Sequence, residues 1–224
     1  MEVKRRVSAI VLAAGASRRM GRCKQLLPLG DSPVIVHGVK AALAAGVAEV
    51  IVVVGANGDA VAAAIGHLPV RIVHNRDREG DMADSVRIGL AALDCASSGV
   101  MICLADQPLL DPETPRQLVR LHDRYPDEIL IPFFSGEKGH PSLFPCRLLQ
   151  AFPHNMTLRD VIRDNSPSVR LVEVSDQEVA LDMDTPADYQ ATLERFVTRK
   201  IGVKNRGQRT IFSNTGFSLS CSKY

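Results

Sequence analysis

Cysteine is scarce and scattered in this 224-residue chain, which has five of them, Cys23, Cys95, Cys103, Cys146 and Cys221. They form no Cys-x-x-Cys pair and no His/Cys cluster at ligand spacing, which points away from a disulfide framework and from a zinc site. The pattern suits a reducing compartment, and a cytoplasmic location is expected. No stretch approaches the roughly 20 apolar residues of a membrane-spanning helix, so no membrane partner is expected. Lys4-Arg5-Arg6 precedes a short apolar run that ends at a glycine loop without a cleavage-type segment, so no signal peptide is expected either. Internal repeats and low-complexity tracts are missing, as is any Ser/His/Asp or Cys/His grouping that would suggest a nucleophilic side chain.

Net charge is also nearly absent, at +2, but it is unevenly spread. Residues 199–224 carry Arg199, Lys200, Lys204, Arg206, Arg209 and Lys223 without a single acid, so the remainder is mildly acidic. With its Ser, Gly and Asn and little apolar periodicity, this end is expected to be a basic, flexible tail rather than a nucleic-acid-binding element. One domain over residues 1–198 is expected before it, since 46% hydrophobic content over this length can bury one substantial core.

Short β-branched runs alternate with helical patterns, the mark of βαβ units and a mostly parallel sheet with helices on both faces. Strands are predicted near 8–12, 50–54, 71–74 and 100–104, with helices over 33–45, 59–65 and 85–93. The second half is less regular. Helix 114–122, strand 129–133, a Gly-Glu-Lys-Gly hairpin at 136–139, strand 140–144, helix 157–163, strand 169–174 and a final helix opened by Thr185-Pro186 suggest a small β insertion that walls a pocket.

Ligands of open α/β sheets sit at the carboxyl ends of the strands. The first predicted strand empties there into Ala13-Ala14-Gly15-Ala16-Ser17, followed by Arg18, Arg19, Arg22 and Lys24. Small side chains let backbone N–H groups close on an anion, and the cations that follow can neutralise several phosphate charges. A nucleoside triphosphate is the expected ligand. The segment is not a P-loop, because Gly21 is followed by Arg22-Cys23-Lys24, nor a dinucleotide fingerprint, because Gly15 and Gly21 are six apart. Asp106 lies just beyond the fourth predicted strand, an odd place for a charge unless it serves a ligand. There it could hold Mg²⁺, which takes one or two carboxylates together with phosphate oxygens and water.

Leu12 to Lys24 resembles, at every fixed position, the signature Leu-Ala-(Ala/Gly)-Gly-x-Ser-x-Arg-Met-Gly-x-x-Lys of nucleotidyltransferases of the molybdopterin cytidylyl/guanylyltransferase type, the MobA-like family. The resemblance extends over about residues 7–195 and implies a Rossmann-like nucleotidyltransferase fold. It implies catalytic roles for Arg19 and Lys24, and nucleotide contacts from Leu12, Ala13, Ala14, Gly15, Arg19, Lys24, Gly80, Ser85 and Asp106. A substrate-facing element is implied at Gly139-His140-Pro141, and a second metal-binding acid at Asp184, with Asp182 in support. Asp184 could equally be a helix-start residue, and Asp84 or Ser85 simply an N-cap.

Ala13-Ala14-Gly15, where guanylyl-transferring members tend to show Gly-Gly, implies CTP rather than GTP. The implied reaction joins CMP to Mo-molybdopterin with release of pyrophosphate, for a client of the xanthine dehydrogenase or CO dehydrogenase type. A guanylyltransferase remains an alternative. So does a methylerythritol-phosphate cytidylyltransferase, which Lys24-Gln25 and Asp84-Ser85-Val86 resemble, although Cys23 stands where that family has proline. A catalytically silent protein that escorts the pterin cofactor is the alternative of a different class.

Overall fold

The structure is a computed structural model that describes residues 5–77, 81–94, 96–150 and 152–212, with residues 202–212 described by backbone path alone. Its framework is β1 (Val7–Ala13), whose sequence VSAIVLA is buried along nearly its whole length. A strand of that composition needs cover on both faces, and it pairs in parallel on both edges. On one side lies β4 (Glu49–Val54), with Ile10 opposite Ile51. On the other lies β6 (Gly99–Leu104), with Ile10 opposite Ile102. β5 (Arg71–His74) extends the sheet beyond β4, also in parallel. A two-rung ribbon of β2 (Pro28–Leu29) and β3 (Ser32–Pro33), not expected from the sequence, precedes the first helix.

The pleat sorts the core into two layers. Ala9, Val11, Val52 and Met101 pack on one face with Ile35 and Val39 of α1 (Val34–Ala44) and with Val61 and Ile65 of α2 (Gly58–Ile65). Ile10, Ile51, Val53 and Ile102 pack on the other with Ala83 and Val86 of α3 (Met82–Ala91). Ile10, Ile51 and Ile102 are wholly buried, each contributing about 2 kcal/mol of apolar transfer.

The second half contains α4 (Glu113–Arg124), β7 (Ile129–Phe134), β8 (Glu137–Lys138), β9 (Ser142–Pro145), α5 (Cys146–Gln150), α6 (Leu158–Asp164), β10 (Val169–Glu173) and α7 (Pro186–Phe212). The sheet runs β10-β7-β9-β6-β1-β4-β5, with β8 pairing β7. β9 is antiparallel to both β6 and β7, so the insertion does not stand apart as a pocket wall but lies inside the main sheet. The expected hairpin is present, turning through Ser135 and Gly136 at φ of 48° and 96° before β8 folds back on β7.

The expected domain boundary at residue 198 falls inside α7 rather than at its end. Arg199 donates to the Leu109 carbonyl and to Glu178 Oε1 at 3.3 Å, and Lys200 lies 3.6 Å from Asp31. Arg199 and Lys200 therefore contact the body. Residues 213–224 of the expected tail, and the side chains of 202–212, lie outside the described residues. No helix among the described residues is long and apolar enough to cross a membrane.

Candidate active site

From β1 the chain moves outward to β4 and β5, then returns to β6 on the opposite side of β1. That reversal opens a crevice between the loops leaving β1 and β6, the usual ligand position in such sheets. A cavity of about 550 Å³ occupies it, within the range of small-molecule sites. Its lining includes Leu12, Ala14, Gly15, Arg18, Arg19, Lys24, Ser85, Asp106, Asp182 and Asp184, which the sequence singled out, together with Gln25 and Asn75.

The loop after β1 is shaped by a few polar contacts. Ser17 has a φ of 52°, and its carbonyl accepts from the amides of Met20 and Gly21 at 3.0 and 3.1 Å. Its hydroxyl accepts from the Lys24 amide at 3.2 Å. Beneath the loop the buried Gln25 donates to the carbonyls of Ala13 and Gly15 at 3.3 and 3.4 Å. Holding those two oxygens down keeps them from lining the ligand side with negative charge. Gly55, at the exit of β4, lets the loop lie flush on the sheet: a Cβ there would strike the Ala14 carbonyl oxygen and stand 2.9 Å from the Ala14 Cα.

Lys24 is the electrostatic centre. Its Nζ bonds Asp106 Oδ2 and lies 2.7 Å from Asp184 Oδ1, while Arg19 reaches the other Asp184 oxygen at 2.5 Å. Burial alone would lower the Lys24 pKa, but the two carboxylates outweigh it and hold the value above the ordinary lysine range. The hydrogen bond from Lys24 in turn holds the Asp184 carboxyl below the usual carboxylate range, against the opposing effect of its partial burial. Asp182 goes the other way, raised first by burial and then by the Asp106 charge, although it accepts from Gln107 at 3.0 Å.

Asp184 is not the cap of α7. Thr185 takes that role, its hydroxyl accepting from the Asp188 amide at 3.2 Å while Asp188 Oδ2 accepts from the amides of Thr185 and Asp184 at 2.8 and 3.1 Å. The Asp184 side chain is left to face the cavity. α3 shows the same division of labour. Asp81 is its N-cap and Asp84 the reciprocal acid of a capping box, so Ser85 is not a cap. Its hydroxyl meets Asn75 Nδ2 at 3.0 Å.

Three expectations fare differently. Gly139, His140 and Pro141 are absent from the cavity lining. Gly139 packs so tightly on the turn at 177–180 that a Cβ would collide with the Val179 carbonyl oxygen, and that oxygen accepts from the His140 amide at 2.9 Å. The His140 ring is buried, which lowers its pKa despite the nearby Asp182 charge, and its Nδ1 has no hydrogen-bond partner among the described residues. Ala13 stands just outside the cavity, contributing its carbonyl to Gln25. Gly80 lies outside the described residues.

Asn75 and Gln25 were not assigned a role from sequence. Asn75 could have been found, because it directly follows the strand predicted over 71–74, as Asp106 follows its own strand.

Among the described residues no three His, Cys, Asp or Glu side chains are grouped as a metal cage. The donor set is instead two carboxylates converging on one cation position, now taken by the Lys24 ammonium. That suits an ion such as Mg²⁺, which draws its remaining oxygens from substrate and water.

A mostly parallel sheet with this loop, this lysine and these paired acids defines an α/β nucleotidyltransferase. Residues 9–169 match the family described as MobA-like NTP transferase domain, and the chain belongs to that family. It is 31% identical over 191 residues to a protein of Paenarthrobacter nicotinovorans named nicotine blue oxidoreductase, covering 80% of this chain and 92% of the relative. It is 28% identical over 195 residues to the molybdenum cofactor cytidylyltransferase of Escherichia coli K12, covering 85% and 97%. Among solved structures, Rv0371c of Mycobacterium tuberculosis H37Rv superposes with a TM-score of 0.77 at 31% identity, over 86% of this chain and 99% of that one. The same protein in complex with manganese gives 0.74 at 30% identity, over 86% and 100%.

Proposed function

We propose that this enzyme transfers CMP from CTP to the terminal phosphate of Mo-molybdopterin, giving molybdopterin cytosine dinucleotide and pyrophosphate, with Mg²⁺ held by Asp106 and Asp184. The observation that carries the reading is the convergence of those two carboxylates on Lys24, beside the small-residue loop after β1. The cytidylyltransferase relative from E. coli supports the choice of nucleotide and acceptor, and the manganese complex of Rv0371c supports a divalent ion.

The loop at 14–17 offers backbone N–H groups to the triphosphate, and Arg18 and Arg19 add charge at its rim. A phosphate monoester has its second pKa near 6, so the attacking oxygen is already ionised at neutral pH and no general base is needed. The barrier is then electrostatic, since one anion must approach the α-phosphorus of another while charge grows on the departing pyrophosphate. Lys24 and Arg19 stabilise that charge in a partly dehydrated cavity. A divalent ion held by Asp106 and Asp184 would supply further neutralisation of the phosphate charge.

The test is pyrophosphate release from CTP and from GTP, with Mg²⁺ and Mo-molybdopterin, together with detection of the dinucleotide. Turnover with CTP is the expected result. Preference for GTP would make this a guanylyltransferase, and tight pterin binding without turnover would support an escort. Turnover of a redox substrate with no pyrophosphate released would align it with the Paenarthrobacter relative and defeat the proposal.

A further inference from the structure

Asn75 and Ser85 belong to the cavity but stand apart from the carboxylate cluster. Asn75 follows β5, two strands across the sheet from β1, a lateral step of about 10 Å that matches the separation between the phosphate and base ends of a nucleotide. Both side chains are buried, at 5% and 4% exposure. The Asn75 amide donates to the Val54 carbonyl at 2.8 Å, which ties the residue to the end of β4.

The orientation of the Asn75 carboxamide is fixed by its neighbours. The Asp77 backbone N–H lies 3.0 Å from Oδ1, and a backbone N–H can only donate. The oxygen must therefore face Asp77, and the NH₂ group faces Ser85 Oγ at 3.0 Å. Ser85 accepts that bond, so its single proton has to point elsewhere. No acceptor for it is found among the described residues, and the hydroxyl borders the cavity.

We propose that Asn75 is a positioning residue that sets the polarity of Ser85, holding its hydroxyl as a hydrogen-bond donor toward the nucleobase and so selecting a ring edge with a lone pair. Cytosine presents such a lone pair at N3, where uracil carries an N–H. The inference rests on the nucleotide reading given above and deepens it from a contact to a rule of base selection. A site built to hydrogen-bond one group rejects an analogue that leaves the buried partner unpaired.

The experiment compares wild type, Asn75→Asp and Ser85→Ala in titrations with CTP, UTP and inorganic tripolyphosphate, each with Mg²⁺, after thermal unfolding has verified the fold. Wild type should prefer CTP to UTP. In Asn75→Asp both carboxylate oxygens accept, so the Ser85 proton turns inward and its lone pair faces the ligand. The ratio of CTP to UTP affinity should then fall by about tenfold or more. The added charge acts on both nucleotides alike and cancels in the ratio. Ser85→Ala should bring the ratio toward unity and leave tripolyphosphate affinity unchanged, and it decides the matter alone if Asn75→Asp does not fold.

A wild type that binds CTP and UTP equally, or variants that keep the wild-type ratio, would overturn the proposal while the nucleotide site stands. Failure of wild type to bind either nucleotide or tripolyphosphate would remove the nucleotide reading and this inference together.

Discussion

Two acidic clusters in this protein look alike in composition and differ in what satisfies them. Asp106 and Asp184 converge on Lys24 at the edge of a cavity, and among the described residues only Lys24 and Arg19 have side chains bonded to their carboxylates. Asp176 and Glu178, in the turn before the last helix, are buried and bound by the protein's own donors. Asp176 accepts from the amides of Asp111 and Glu178 and from the Thr114 hydroxyl, and Glu178 pairs with Arg195 and Arg199 of α7. The second cluster fastens the final helix to the body of the protein and is absent from the cavity lining. The first is held by the Lys24 ammonium, with Arg19 on Asp184, and it opens onto the cavity. What the carboxylates face, an open cavity or the protein's own donors, separates the two clusters, not the number of acids.

Lys24→Ala tests the contrast most severely. Pyrophosphate release should fall by about a hundredfold or more, as for loss of a preorganised transition-state charge, with the unfolding temperature nearly unchanged. Asp106→Asn should raise the Mg²⁺ concentration for half-maximal rate by about tenfold or more, and an unaltered metal titration would remove Asp106 from the metal site. Asp176→Ala should do the reverse. It leaves three donors without their acceptor and should cost about 3 kcal/mol in urea unfolding, while kcat of the folded fraction stays near wild type.

Shortening the chain sharpens the brace further. Ending it at Ile201 should change stability by no more than about 0.5 kcal/mol. Ending it at Thr198 removes the Arg199 bonds to the Leu109 carbonyl and Glu178 and should cost about 1 kcal/mol by the same measurement.

The smallest effect concerns His122, wholly buried under β6 and held below its ordinary pKa first by burial and then by the Arg5 charge. The unfolded chain takes up this proton at higher pH than the folded one does. Stability should therefore decline as pH falls below about 6.5 and continue to decline until the folded pKa is passed. His122→Leu should make that decline shallower in thermal unfolding.

The first half of the fold was legible because its signals are local. β5 falls where the β-branched run at 71–74 places it, and β1, β4 and β6 differ from expectation by a residue or two at their ends. The loop after β1 and Asp106 were legible for the same reason, since a strand's carboxyl end can be read from adjacent residues.

What escaped depends on partners distant in sequence. Nothing near residue 142 says that β9 will insert antiparallel between β6 and β7, because the pairing of Ser142 with Ile102 is decided by the sheet. Likewise Arg199 reads as part of a basic tail until Glu178 and the Leu109 carbonyl stand beside it. The ambiguity at Asp184 was also tertiary at root: Thr185 and Asp188 cap the helix between themselves, which frees the preceding carboxylate for the site.

Gly55 sets how closely the loop after β1 lies on the sheet. The oxygen of Ala14 rests where its side chain would begin, and the neighbours in the way are backbone atoms that cannot swing aside as a side chain could. Replacing it with alanine would jack the loop after β1 upward on its foundation and make the cavity shallower, without changing any residue that lines it. One missing carbon atom, at the tip of a neighbouring strand, is thus the depth gauge of the cavity.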